Sequence, residues 1–190
     1  PIGSMQAPFA MLYTTWLASL VGAVMMTLAT RGRADRGTVA LTRTVIPVLV
    51  MGLASLCLAL VVGATAGWGA FLPAWAVVWP TAIALSWLFV GLLSLLGLWV
   101  VILLLPLAFY QSAIGGVMAP AAAAPEWLSR ITSWAGLEQI GAAYRGAVHG
   151  VAMPYPVVLV AIIAILGLAL IWIRAALPAR AGATGATTAA

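Results

Sequence analysis

Across residues 44–125 the chain carries no Asp, Glu, Lys or Arg, and Leu, Val, Ala and Trp dominate it. One helix needs roughly 20 apolar residues to cross a hydrocarbon core about 30 Å thick, so this interval must fold back on itself several times. In lipid each backbone amide has to find a partner within the protein, and α-helices satisfy that demand within each segment. The expected class is an all-α, polytopic membrane helical bundle with about five spans and short amphipathic outer helices.

Breaks in the apolar pattern place the elements. A first span covers about 8–30 and is followed by the densest charge in the chain, Arg31, Arg33, Arg36 and Arg43 against a lone Asp35. A second covers about 45–65. The turn AGWGAFLPA then sits at the opposite interface, with Trp68 and Trp75 at headgroup depth. Residues 74–118 are too long for one crossing, and Gly91, Ser94 and Gly97 offer the tight place to reverse. Spans of about 74–93 and 95–112 follow, with kinks expected at Pro80 and Pro106. The last span is about 156–173, and 176–190 reads as a disordered tail of small residues.

Residues 125–149 differ in kind, since Gly115, Gly116, Pro120 and Pro125 break the chain ahead of two amphipathic stretches. In the first, Trp127, Ile131 and Trp134 share a face, with Glu126 and Arg130 as an i,i+4 pair opposite. In the second, Leu137, Ile140, Tyr144 and Val148 oppose Glu138, Arg145 and His149. Both are too short and too charged to cross, so they are expected to lie at, or dip into, the outer interface.

Charge then orients the bundle. The net charge of +5 comes from arginine alone, and the positive-inside rule makes 31–43 and the C-terminal Arg174 and Arg180 cytoplasmic. The chain thus reads as a multi-pass membrane protein with its N-terminus outside and its C-terminus cytoplasmic. Basic charge placed this way is a topology signal and implies no nucleic-acid partner. An outside N-terminus without an export signal leads to the expectation of a further span upstream.

Catalytic chemistry finds few candidates. The chain has one His, one Cys and three acids, spread over both sides of the bilayer, too scattered for a metal centre or a paired acid and base. It has no lysine and no G-x-x-x-x-G-K-[ST] loop, so ATP hydrolysis would have to reside in a partner. No enzyme activity, cofactor or metal is expected. Cys57 reads as a buried, inert thiol; Gly63-x-x-x-Gly67 permits close helix contact, a spacing that also arises readily in Gly-rich spans. Ser86, Tyr110, Gln111 and Ser112 are polar positions that could line a path. With no charged ring to replace an ion's hydration shell, such a path favours lipid-like cargo over ions.

Two stretches carry a family resemblance. PIGSMQAPFAMLYTTWLASLVGAV, and YQSAIGGVMAPAAAAPEWLSRITSWAGLEQIGAAYRGAVHG with its Gly-Gly break, short helices and Tyr144, resemble the phage-infection-protein-like (YhgE/Pip) membrane proteins of the type-2 ABC exporter permease superfamily. The resemblance covers nearly the whole chain as a hydropathy pattern. It implies a permease domain lacking its first span, working as a homodimer or hetero-oligomer. It also implies that Arg31, Arg33, Asp35, Arg36 and Arg43 form a loop that docks an ATPase subunit or another membrane protein. Gly115, Gly116, Glu126, Trp127, Arg130, Glu138, Tyr144 and Arg145 would build an outer gate or interfacial helices. The implied function is export of a hydrophobic or amphipathic substrate; a non-transporting membrane scaffold is the alternative.

Overall fold

The computed structural model describes residues 2–33, 35–114, 137–152 and 154–177. Among them there is no strand, and six helices follow in order. These are α1 (Ile2–Ala29), α2 (Arg36–Ala66), α3 (Phe71–Leu96), α4 (Val100–Ile114), α5 (Leu137–His149) and α6 (Val157–Ala176), with a single 3₁₀ turn at Trp68–Ala70. Gly115, Gly116, Glu126, Trp127, Arg130 and the tail beyond 177 lie outside the described residues, as do the side chains of Tyr110, Gln111, Ser112 and Glu138.

Local chemistry sets the helix ends. Asp35 caps α2, its carboxylate accepting from the Gly37 and Thr38 amides at 3.0 and 3.3 Å. That cap starts the helix at Arg36, nine residues before the expected span, so Arg36 and Arg43 ride on the helix rather than in a loop. Gly67 (φ 117°) and Gly97 (φ 84°) end α2 and α3 in backbone conformations that a Cβ disfavours. α3 therefore runs through Gly91 and Ser94 and reverses at Gly97, beyond the expected break near 93–95. Pro80 and Pro106 lie inside α3 and α4, which continue past them.

Among the described residues four helical stretches are long and apolar enough to cross a membrane: Gln6–Ala29, Arg36–Ala66, Trp68–Leu96 and Val157–Ala176. The described part of α4, 15 residues, measures about 22 Å, short of a full hydrocarbon core. Outward faces are strongly apolar, with Leu53 65% and Val158 73% exposed. In water so much apolar surface would drive association, whereas acyl chains solvate it. The chain is a helical bundle compatible with a multi-pass membrane protein. Cys57 also faces outward instead of into the bundle, because it lies on the side of α2 that no neighbouring helix covers.

α3 is the central helix, with 56% of its apolar window buried against 17% for α6. α1, α2 and α6 surround it, and its tightest neighbour is α6. There Gly91 and Gly167 face each other: a Cβ on Gly167 would stand 2.4 Å from the Leu88 amide nitrogen, and one on Gly91 would stand 2.9 Å from the Gly167 carbonyl. Glycine at both positions lets the two backbones touch. Gly63, by contrast, packs on the Trp68 ring of the following turn and on Phe71 at the start of α3, while Gly67 closes the helix.

The core has two parts. Trp16, Leu20, Phe89, Val90, Leu93 and Ile171 pack around the later half of α3. Met11, Leu12, Val78, Ile140, Tyr144 and Val148 pack around its earlier half. α5 thus docks its apolar stripe against α1 and α3, and Tyr144 is wholly buried. The second amphipathic stretch enters the bundle rather than resting on its surface.

Candidate functional site

The ends of α1, α3 and α6 and the start of α2 meet around a cavity of about 970 Å³. Sequence order explains the meeting: α1 runs toward this end, α2 leaves it, and α3 and α6 return to it. Five arginines line the cavity: Arg31 and Arg33 from the α1–α2 connection, Arg36 and Arg43 seven apart on one face of α2, and Arg174 from the last turn of α6. Leu93, Leu96 and Ile171 supply apolar lining.

Hydrogen bonds fix two of these cations. Arg43, half-buried, donates from Nε and Nη2 to Thr30 Oγ1 at 3.0 and 2.8 Å and from Nη1 to Ser94 Oγ at 2.8 Å. Arg174 donates from Nε to the Ser94 carbonyl at 3.2 Å, one of the carbonyls left free at the end of α3. Ser94 thus receives two guanidiniums from two helices, close enough to repel each other. At the rim, Arg36 holds the Leu177 carbonyl at 2.8 Å, tying the start of α2 to the end of α6.

Among the described residues no acidic side chain lines the cavity. The neighbouring acid, Asp35, is occupied by the Gly37 and Thr38 amides and by the Thr38 hydroxyl. The Thr38 hydroxyl, aided by both amides, holds its carboxyl below the usual value. The cavity is therefore cationic and amphipathic, suited to an anion that carries an apolar portion. Among the described residues no cluster of His, Cys, Asp and Glu could hold a metal ion. Comparison with protein-family models, curated proteins and solved structures finds no match to this chain.

The other sequence candidates separate from this site. Ser86 is buried within the bundle. Tyr144 lies in the half of the bundle away from the arginines, where its hydroxyl donates to Thr15 Oγ1 at 3.5 Å. Nearby, the Thr81 and Tyr155 hydroxyls pair at 2.8 Å, and burial pushes both phenols above their ordinary value. Arg145 sits on the less buried side of α5. Thus Arg31, Arg33, Arg36 and Arg43 come together, Asp35 supports them from the cap, and the two candidate gate residues with described side chains, Tyr144 and Arg145, do not line the cavity. Thr30, Ser94 and Arg174 complete it. Charge bias alone placed Arg174 at the same end as 31–43, but the joint grip on Ser94 depends on helix packing.

Proposed function

We propose that this chain is a permease-like subunit of an export system in the bacterial inner membrane, handling a hydrophobic or amphipathic, lipid-like substrate with energy supplied by a partner. The observation that carries this reading is the interhelical cavity that joins five arginines to an apolar wall at one end of the bundle. A soluble metabolite has no need of that wall, and a purely topological anchor has no need of a cavity. The type-2 ABC permease resemblance supports the same reading, with the exposed Arg31, Arg33 and Arg36 available to an ATPase or other membrane partner in a homodimer or hetero-oligomer.

Chain direction supports a five-crossing threading. Leu98, just after α3, borders the arginine cavity. Tyr155, just before α6, instead meets Thr81 well back along α3. The two ends of the intervening stretch thus lie toward opposite ends of the bundle, and α4 leads away from the arginine end. With the arginine end cytoplasmic, the N-terminus lies outside and the C-terminus inside.

The test is lipid movement in proteoliposomes, followed with a headgroup-labelled lipid and a membrane-impermeant quencher, with and without the copurified partner and ATP. Partner- and nucleotide-dependent movement is the expected result. A stable complex that moves no lipid would replace the permease reading with that of a scaffold.

A further inference from the structure

We propose that Arg43, Ser94 and Arg174 form a discrete site for the phosphate oxyanion of an acidic phospholipid, its acyl chains running over Leu93, Leu96 and Ile171. This deepens the permease reading and rests on it for the site's role, though not for its occupancy.

Three observations converge. First, the two guanidiniums meet at Ser94 and repel each other, and among the described residues no carboxylate lines the cavity around them, while Asp35 is committed to capping α2. A half-buried pair of like charges is stabilised by an anion placed between them. Second, the guanidinium planes are already held. Arg43 spends one N–H on Ser94 and two on Thr30, and Arg174 spends its Nε on the Ser94 carbonyl, which leaves its terminal nitrogens for a forked contact with an oxyanion. That orientation is set before a ligand arrives, so less side-chain freedom is lost on binding. Third, the site lies where the apolar helices end and Leu93, Leu96 and Ile171 share its lining, a position that in a bilayer would set it beside lipid headgroups. Free phosphate would use the arginines and leave the apolar lining uncovered; a diacyl phospholipid uses both. Arg31, Arg33 and Arg36 at the rim raise the local concentration of anions without being part of the grip.

Native mass spectrometry of the full chain in detergent, titrated with phosphatidylglycerol, phosphatidylcholine or inorganic phosphate, tests the site. Phosphatidylglycerol should be retained about 30-fold more strongly than phosphatidylcholine, a ratio expected from two cations at a headgroup. Inorganic phosphate should compete only in large excess. The double variant Arg43→Gln/Arg174→Gln should bring the two lipids to parity, while Arg33→Gln should leave most of the preference. If the double variant fails to fold, Arg43→Lys and Arg174→Lys keep the charge while losing the planar fork, and each should still weaken phosphatidylglycerol retention severalfold. Equal retention of both lipids by the parent chain, an unchanged preference in the Lys variants, or phosphate competing as well as lipid would overturn the proposal. Selective retention with no lipid movement in proteoliposomes would leave this site standing and remove the permease reading. Movement without selective retention would do the reverse.

Discussion

Gly167→Ala is the most demanding perturbation of the fold. The added Cβ would lie 2.4 Å from the Leu88 nitrogen and 2.5 Å from the Trp87 carbonyl carbon, where ordinary contact begins at 3.4 Å. Both obstacles are backbone, so no rotamer change relieves them, and α6 would have to withdraw from α3 by about 1 Å. A gap of that size forfeits roughly a quarter to a half of the dispersion energy of each contact it opens. Overpacking of this kind costs about 1–3 kcal/mol, and the immobile neighbours place this case near the upper figure. Alanine regains up to about 1 kcal/mol in helix propensity, leaving a net loss of about 2 kcal/mol. Thermal unfolding in detergent, followed by tryptophan fluorescence, measures it. Gly69→Ala, with nothing within 4 Å of its new Cβ, is the control and should be close to neutral. Withdrawal of α6 should also lengthen the Arg174 to Ser94 contact, two turns along the same helix, and weaken anionic-lipid retention in parallel. A Gly167→Ala protein as stable as the Gly69→Ala control would refute the close approach of α3 and α6.

Other outcomes follow from the same structure. Tyr144→Ala should cost about 3–5 kcal/mol, since it empties a fully buried ring site, whereas Tyr144→Phe keeps the ring and removes the hydroxyl's contacts with Thr15 and Thr81, which should cost about 1 kcal/mol; thermal unfolding of the two variants separates packing from polarity. Asp35→Ala should speed amide exchange at Gly37 and Thr38 while leaving the later turns of α2 protected. Because the Asp35 carboxyl titrates below its ordinary 3.8, its cap is fully present above that pH and is lost as the pH falls through the lower folded value; exchange at those two amides should be protected equally, after correction for intrinsic rate, from pH 7 to pH 5 and lose protection only in stronger acid. Ser94→Ala removes the Oγ acceptor of Arg43 but keeps the carbonyl used by Arg174, so it should reduce phosphatidylglycerol retention less than Arg43→Gln does in the same mass-spectrometric titration.

Hydropathy made the helical membrane bundle legible, because long uncharged runs have few other solutions in lipid. Glycine was harder to read. Gly97 ends α3 through a positive φ, while Gly91, an equally good candidate from sequence, instead stays helical because Gly167 presses against it. Nothing local distinguishes a glycine used for turning from one used for close packing; the partner lies 76 positions away. Charge patterning showed that arginines would gather at one end, but not that Arg43 and Arg174 would share Ser94. That contact is fixed by the register of α2, α3 and α6, which side-chain periodicity leaves undetermined. The apolar stripe of α5 was readable from its spacing, yet its depth was not, since a period identifies a face without saying how far it sinks.

The account stands most directly on which ends of the helices share a compartment. Single cysteines placed at Gly37, Trp99, Leu177, Trp68 and His149, in a chain whose Cys57 is replaced by Ala, can be challenged with a membrane-impermeant thiol reagent in right-side-out and inverted vesicles. Gly37, Trp99 and Leu177 should react together in inverted vesicles, and Trp68 and His149 together in right-side-out ones. Reaction of Trp68 and Leu177 from the same side would contradict the threading, and with it the proposed cytoplasmic placement of the arginine-lined site.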